Sequence, residues 1–185
     1  MSRFLTHRKR LTEPEEPVDR FLQRARRLGS KRGPTLLQLP PKMRPDAGRL
    51  DATLEAFGQR ERVAVEFRDD RWFVPEVRDV LERRRAAFCM ADGIVRSTPH
   101  WQTADWGYVR FHRGQEVTTC YTDHALGVWA SRLASMWPAN ADVFAFFNND
   151  AYGCALRDAI VMARLAADRG LRPTRVPSED EVTIG

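Results

Sequence analysis

The sequence predicts an α/β fold built on a parallel sheet, and three observations support this prediction. Five short apolar runs recur along the 185-residue chain, and segments with helical character follow them. Strands that alternate with helices pack as a parallel sheet covered by those helices. The composition, with 43% hydrophobic and 30% charged residues, is that of an ordinary globular domain and excludes collagen-like and wholly disordered chains.

The five runs are short, rich in β-branched or aromatic residues, and bounded by Gly, Pro, Asn or Asp, which is typical of buried strands. They lie at 34–39, 63–67, 86–91, 106–111 and 142–147. Candidate helices lie at 14–28, 45–58, 75–85, 122–137 and 152–169. Gly29 and Gly170 follow the first and last helices as stop signals, and Thr122 and Asp123 can cap the fourth. The link at 93–105 is too short and too rich in Thr, Pro and Trp to hold a full helix.

The spacing of the runs leaves two architectures open. One unit of strand and helix occupies roughly 27 residues, so eight units would approach the ~250 residues of a (β/α)8 barrel. Five strands alone could instead form an open flavodoxin-like sheet. We predict one domain over residues 1–170, followed by a tail at 171–185 that we expect to be disordered.

Charge and cysteine content narrow the class of protein. The formal net charge of +5 comes from the N-terminal third, because residues 1–62 carry a net +7 and the remainder a net −2.

The three cysteines are odd in number and contain no C-x-x-C pair, so we expect neither a disulfide framework nor a structural zinc site. We expect Cys89 and Cys154 to pack as small hydrophobic residues. No apolar run approaches the length of a membrane span, so we expect a cytoplasmic protein without a membrane partner.

Polar side chains close one alternating face of each run, at even-numbered positions. They are Gln38, Glu66, Arg68, Asp92, Arg110, His112, Asn148 and Asp150. The carboxyl ends of parallel strands form the ligand crevice of α/β proteins, so we expect these side chains to converge on one mouth. For any single residue the alternative is an ion pair that closes the end of the sheet.

Acid–base chemistry is the role that we predict for the proton-transfer groups of this set. The catalytic candidates are Glu66, Asp92, His112 and Asp150. The substrate-binding candidates are His7, Gln38, Arg68, Arg110, Asn148, Asn149 and Tyr152, among which the two arginines suit an anionic substrate. The chain has no H-x-x-x-H or H-E-x-x-H motif and no Gly-rich phosphate loop, so the sequence predicts neither a metal site nor a cofactor.

Several stretches together resemble a known family. They are Arg3-Phe-Leu-Thr-His7, Leu36-Leu-Gln-Leu-Pro-Pro41, Val65-Glu-Phe-Arg68 with Trp72-Phe73, Ala91-Asp92, Tyr108-Val-Arg-Phe-His112 and Phe146-Phe-Asn-Asn-Asp150. Their order and spacing, from the first residues to about Leu165, resemble the domain of unknown function 72 family, also called YecE-like. The resemblance implies a TIM-like (β/α)8 barrel, here a partial barrel with about five parallel strands and flanking helices, whose polar residues cluster at one mouth.

The resemblance breaks at the N-terminus. Members of that family carry roughly two to three further strand–helix units before the stretch that matches Arg3–His7. We therefore expect a truncated gene model, a wrongly assigned start or a decayed gene. A barrel without those units has unpaired strand edges, so we expect the chain expressed alone to be poorly soluble or loosely folded.

Two functional hypotheses of different classes follow. The first is an enzyme-type barrel that acts on a small anionic or sugar-like substrate by acid–base chemistry at the C-terminal mouth of the strands. The alternative is a nucleic-acid-binding or endonuclease-like barrel whose basic N-terminal third meets phosphates, or an inactive truncated remnant. Salt dependence separates the first two, because binding to a phosphate backbone falls steeply with salt. The reaction, the substrate and the oligomeric state are left open, and so is whether Glu66, Asp92, His112 and Asp150 bind a metal instead of moving protons.

Overall fold

The computed structural model describes residues 3–93, 98–112 and 120–176. Within these ranges lie five strands and five α-helices. The strands are β1 Thr35–Gln38, β2 Val63–Glu66, β3 Ala87–Asp92, β4 Gly107–Phe111 and β5 Val143–Phe147. The helices are α1 Glu15–Ala25, α2 Ala47–Phe57, α3 Pro75–Arg84, α4 Asp123–Met136 and α5 Cys154–Ala167. The predicted α/β class is confirmed.

The strand order decides between the two architectures that the sequence left open. Parallel pairing joins β1 to β2, β2 to β3 and β4 to β5, and the strands follow one another in chain order, β1-β2-β3-β4-β5. A flavodoxin-like sheet would have the order 2-1-3-4-5, so that alternative is excluded. Parallel strands in chain order with helical connections are the arrangement of a TIM-like barrel, of which the described residues contain five strands.

The helices differ most from their predicted limits at α1 and α5. α1 ends at Ala25, and the chain continues as a 3-10 helix, Arg26–Lys31, in which Gly29 takes a φ of +53°. α5 begins later than predicted, because Tyr152 and Gly153 have φ values of +58° and +72° that a right-handed helix does not accommodate. The predicted cap of α4 is confirmed, since Thr122 Oγ1 accepts the N–H of Ala125 at 3.1 Å.

β5 differs from the buried strand that the sequence predicts. Its five residues are all apolar, yet Ala145 and Phe146 are exposed, Phe146 by 42%. β5 lies at one end of the strand order, so it has a neighbouring strand on one side within the described residues. An apolar strand sequence predicts burial only where both faces of the strand are covered, and the residues in the described ranges leave Ala145 and Phe146 partly uncovered.

The chain divides into two compact units. The first comprises the described residues up to Cys89 together with Pro99–Asp105, and the second comprises the other described residues. The prediction of one domain over residues 1–170 stays a prediction. In the predicted tail, residues 171–176 lie in neither helix nor strand, and residues 177–185 lie outside the described ranges. None of the helices in the described ranges combines the length and apolar character that a membrane span requires.

The first unit has an aromatic core behind the end of β2. Phe67 stacks on Trp72 with ring centroids 5.0 Å apart, and Phe88 lies 5.0 Å from Trp101. Trp72 is fully buried, and its Nε1 donates a 2.9 Å hydrogen bond to the carbonyl oxygen of Met43. This packing fixes the chain immediately after β2, where candidate site residues lie.

The second unit is organised around Phe111, the last residue of β4. Its ring stacks on Phe147 of β5 at 4.6 Å and meets the edges of Tyr121 and Trp129 at 5.6 and 5.4 Å. α4 and α5 pack against each other, and α5 also packs on β5. The cluster therefore holds the carboxyl ends of β4 and β5 against the start of α4.

One disulfide, which the cysteine pattern does not predict, joins two of the three cysteines. Cys120 and Cys154 are disulfide-bonded with Cα atoms 4.8 Å apart, across 34 positions of sequence. Cys154 is buried at the first position of α5, as predicted, but as half of a cystine. Cys89 is buried as a free thiol, as the sequence indicates. Chain spacing concealed the pair, because packing within the second unit brings the start of α5 beside the residues before α4.

An acid-sensitive contact joins α2 to α3. Asp51 accepts two hydrogen bonds from Arg84, at 2.8 and 2.7 Å, and one from Arg83 at 3.0 Å. These bonds, with that from Arg84 the largest cause, lower the pKa of Asp51 from 3.8 to about 2. Because the pKa of Asp51 is lower in the folded protein than in the unfolded chain, its ionised carboxylate stabilises the fold at pH values above the pKa of the unfolded chain. That contribution is lost as pH falls from about 4 to about 2.

We therefore expect Asp51→Asn to lower the free energy of unfolding by about 1 kcal/mol at pH 7, because neutral Asn loses the ionic component of these bonds. The deficit should be unchanged at pH 5 and about halved at pH 3. Urea unfolding at the three pH values measures it. The control is Asp19→Asn, the same chemical change at an exposed residue of α1 outside this contact, which should change the free energy of unfolding at pH 7 by less than about 0.5 kcal/mol. A constant deficit from pH 7 to pH 3 would contradict the assignment.

Candidate functional site

Three predicted site residues meet in the first unit, at the ends of β1 and β2. Gln38 and Glu66 are the last residues of these strands and are register partners. Glu66 is only 1% exposed, and its Oε2 accepts a 3.0 Å hydrogen bond from Gln38 Nε2. Its Oε1 lies 2.5 Å from Nε of Arg68, a side chain that is 43% exposed. A buried carboxylate is thus held between an amide and a guanidinium that reaches solvent.

A second carboxylate follows in the same loop, and the sequence reading missed it. Asp69 is buried and accepts hydrogen bonds from Arg71 Nε and Nη2 at 2.8 and 2.7 Å. Its Oδ1 also accepts a hydrogen bond from the backbone N–H of Arg71, and this bond caps the start of the short 3-10 helix Asp70–Trp72. Asp69 breaks the even-numbered parity used to select candidates, but its position three residues after β2 was a usable signal. Its bonds to Arg71 fit a structural role.

His7 lies in a short π-helix, Phe4–Arg8, of the first unit. Its Nδ1 lies 2.8 Å from Oγ1 of the buried Thr6. Desolvation, followed by the positive charge of Arg3, lowers the pKa of His7 below its usual value of 6.5. The imidazole is therefore mostly neutral at pH 7. A cavity lined by Arg3, Phe4, His7 and Arg8 opens beside it.

Asp92 ends β3 and belongs to the second unit. Its side chain is buried, and Oδ2 accepts a 3.0 Å hydrogen bond from Trp129 Nε1. Its carbonyl oxygen accepts hydrogen bonds from the His112 backbone N–H at 2.9 Å and from the Tyr121 hydroxyl at 3.2 Å. Asp92 and His112 are therefore neighbours through the backbone. Trp129 and Tyr121, which the sequence reading did not select, fix the orientation of Asp92.

The other predicted residues of the second unit lie near the end of β4 and in the loop after β5. Arg110 donates to Asn148 Oδ1 through Nε at 3.2 Å and Nη2 at 3.0 Å, so these two predicted residues are in contact. Asp150 is exposed. Tyr152 is 78% exposed and has a φ of +58°, which is uncommon for a residue with a side chain. Such a conformation is often found at ligand sites.

A buried network in the second unit uses Asn149 for structure. Asp158 of α5 is fully buried, and its Oδ2 accepts the Tyr121 backbone N–H at 2.8 Å and Asn149 Nδ2 at 2.7 Å. Its Oδ1 accepts a 2.8 Å bond from Arg157 Nη1. The sequence carried one signal, because Asp158 shares a four-residue periodicity with the buried Cys154 and other buried residues of α5.

The predicted residues thus form separate contacts inside each unit. The first unit brings together Gln38, Glu66 and Arg68, and the second brings Arg110 to Asn148. Convergence of all the predicted residues on one mouth stays a prediction. Within residues 3–93, 98–112 and 120–176, no group of three or more His, Cys, Asp or Glu side chains is arranged to hold a metal ion.

Comparisons with known proteins identify the family. The family model described as "Protein of unknown function DUF72" matches residues 1–181. A crystal structure of a DUF72 family protein from Thermotoga maritima has a TM-score of 0.72 at 22% identity, with 87% of this chain and 68% of that chain covered. A DUF72 family protein from Enterococcus faecalis has a TM-score of 0.70 at 16% identity, with 91% and 70% covered. A search of the curated proteins finds no match.

These likenesses establish the fold alone, because both solved structures are less than 25% identical to this chain. The family model spans nearly the whole sequence, including the Arg3–His7 stretch and the loop after β5. On that match, the chain belongs to the DUF72 family of proteins of unknown function.

Proposed function

We propose that this chain is an enzyme-type barrel protein that acts on a small anionic or sugar-like substrate by acid–base chemistry. Glu66 carries the proposal, because its carboxylate is almost fully buried at the carboxyl end of β2. α/β enzymes place their reacting groups at that end of parallel strands. Burying a carboxylate costs free energy even when it is paired, so its presence there supports a role in proton transfer.

The neighbours of Glu66 suit that role. The amide of Gln38 donates to Oε2 and fixes the plane of the carboxylate, while Arg68 supplies positive charge at Oε1. The guanidinium of Arg68 is partly exposed and can bind an anionic substrate from the solvent side. Such a substrate would draw the positive charge of Arg68 away from Oε1, and Glu66 would become a stronger proton acceptor.

Asp92 is the corresponding candidate in the second unit. The bond from Trp129 orients one of its carboxylate oxygens, and His112 follows through the backbone contact. Asp150 and the pair Arg110–Asn148 stay predictions as acid–base and substrate-binding groups. The proposal rests on Glu66, because both side chains that contact it belong to the set that the strand-end pattern selects. One of them, Gln38, is its register partner on the neighbouring strand.

The test is turnover by the Glu66→Gln variant. The purified chain is incubated in D2O with a panel of small phosphorylated and carboxylated sugars, and proton NMR follows both product formation and deuterium incorporation. We expect the wild type to turn over a member of this panel and Glu66→Gln to be slower by about 10²-fold, because an amide cannot take up the proton. The thermal midpoint of the variant should stay close to that of the wild type.

The matched control is Glu82→Gln on α3, a residue whose carboxylate is exposed and pairs with Arg78. It makes the same chemical change outside the site, and its turnover should equal that of the wild type. Full activity in Glu66→Gln, or equal losses in both variants, would contradict the proposal. So would a panel on which the wild type shows neither turnover nor exchange.

Nucleic-acid binding is the second candidate, favoured by the net +7 of residues 1–62. Ion pairs along the helices neutralise part of that charge, as between Arg20 and Glu16 and between Arg49 and Asp46. An oligonucleotide that bound here would lose affinity steeply between 50 and 200 mM salt, roughly 10³-fold for six phosphate contacts. A small substrate held in a pocket would show a much weaker salt dependence.

A further inference from the structure

The N-terminal segment has an unusual backbone. The π-helix Phe4–Arg8 is followed by three non-glycine residues in the left-handed region, Arg10 at φ +48°, Leu11 at +66° and Glu13 at +45°. Each such conformation costs free energy for a residue with a side chain, and persists only where the surrounding structure holds it. Such strained residues cluster at functional sites, where π-turns are frequent as well.

Buried anchors hold this backbone in place. Leu5, Thr6 and Leu11 are all almost fully buried, whereas Arg3, Phe4 and Arg8 are exposed. Leu5 and Thr6 lie within the π-helix, and Leu11 lies three residues after its end. The segment therefore presents a basic and aromatic surface from a rigid support, rather than as a free basic tail.

That surface lines a cavity of about 400 Å³, formed by Arg3, Phe4, His7 and Arg8 and hereafter called the N-terminal cavity. Its volume is within the range of small-molecule sites, about 300–1,000 Å³. Two guanidinium groups give it a charge of +2, since His7 is mostly neutral at pH 7. This charge matches that of a phosphate monoester, which is a dianion near neutral pH.

We propose that the N-terminal cavity binds the phosphate group of a small molecule. Arg3 and Arg8 supply the fork-shaped donors that pair with phosphate oxygens. When Thr6 donates its hydroxyl proton to Nδ1 of His7, the neutral ring carries its proton on Nε2 and offers one further donor. Phe4 provides an apolar wall for the organic part of the ligand.

This inference goes beyond the proposed function, which places the anionic group of the substrate at Arg68, because Arg68 does not line the N-terminal cavity. Binding itself can be measured without turnover. Glu66 does not line the N-terminal cavity, so Glu66→Gln should bind phosphate as the wild type does. Loss of phosphate binding and loss of acid–base turnover are therefore separate results.

The test titrates inorganic phosphate into the full chain at constant ionic strength and follows the ring resonances of His7 by NMR. We expect saturable shifts of the His7 signals in the wild type. The double variant Arg3→Gln/Arg8→Gln should bind phosphate at least tenfold more weakly, since both guanidinium partners of the dianion are removed. Both positions are exposed, so the variant should keep the far-ultraviolet circular dichroism spectrum of the wild type.

The matched control is Arg26→Gln/Arg27→Gln, which removes the same charge from exposed positions of the same unit outside the cavity. Its phosphate affinity should stay within twofold of that of the wild type. Equal weakening in both double variants would mean that net charge alone attracts phosphate, and the proposal would be overturned. Titration of the wild type without any shift at His7 would overturn it as well, independently of any variant.

A competition experiment separates the two sources of a phosphate group. Glucose 6-phosphate should displace inorganic phosphate from His7 with little dependence on salt between 50 and 200 mM. Displacement by a ten-residue thymidine oligonucleotide but not by glucose 6-phosphate, with a steep loss of affinity over the same salt range, would overturn the assignment to a small molecule.

Discussion

Asp158→Ala should lower the free energy of unfolding by about 3–5 kcal/mol, a large fraction of the stability of a domain. The carboxylate is fully buried and accepts the backbone N–H of Tyr121, the side-chain amide of Asn149 and Nη1 of Arg157. Alanine removes the acceptor and leaves two buried donors without that partner, each at about 1–3 kcal/mol. Urea unfolding followed by tryptophan fluorescence measures the loss.

The control for this prediction is the other carboxylate that contacts Arg157. Asp123 accepts a 2.9 Å bond from Arg157 Nη2, but its side chain is 54% exposed. Exposed ion pairs contribute at most about 1 kcal/mol, so Asp123→Ala should be several-fold less destabilising than Asp158→Ala. Similar losses in the two variants would show that the network stabilises the fold through charge rather than through its buried hydrogen bonds.

The strands were the most predictable part of the fold. Each of the five apolar runs is a strand, because a short β-branched or aromatic segment between turn residues has few stable alternatives to a sheet. Strand order was not predictable from the runs, since both a barrel and an open sheet use the same elements. The exposure of Phe146 was not predictable either, because an apolar run does not show which of its side chains the rest of the fold will cover.

Strand-end parity predicted the contact that carries the proposed function. Gln38 and Glu66 were chosen as the last residues on matching faces of two runs, and parallel register brings them to 3.0 Å. The same reasoning found Arg110 and Asn148. It does not reach Asp158, because Asp158 lies on a helix, whose side chains repeat every three to four residues rather than every two.

The N-terminal cavity marks a further limit of sequence reasoning. Arg3, His7 and Arg8 are visible in the sequence, but a basic stretch is usually a solvated surface. What distinguishes this stretch from a solvated basic surface is the π-helix and the left-handed φ values of the residues that follow it. Leu11 and Glu13 are residue types that give no hint of such angles, so tertiary packing must impose them.

Loss of the Cys120–Cys154 disulfide should be comparably destabilising, at about 3–4 kcal/mol. The bond closes a loop of 34 residues, and a cross-link of that length removes this much conformational free energy from the unfolded chain in the chain-entropy model. It also ties the start of α5 to Cys120, the residue before Tyr121. The backbone N–H of Tyr121 donates the hydrogen bond to Asp158. We expect the variant Cys120→Ser/Cys154→Ser to unfold at a correspondingly lower urea concentration.

Reductant provides the control, because it acts on the same bond without changing the sequence. Cys154 is fully buried, so the wild type must be equilibrated with dithiothreitol through its unfolding transition for the thiol exchange to go to completion. Dithiothreitol should then lower the urea midpoint of the wild type to that of the double serine variant. It should leave the variant unchanged, because its remaining cysteine, Cys89, is a free thiol. If dithiothreitol left the wild type unchanged, or lowered both proteins equally, the disulfide could not be the source of the stability assigned to it.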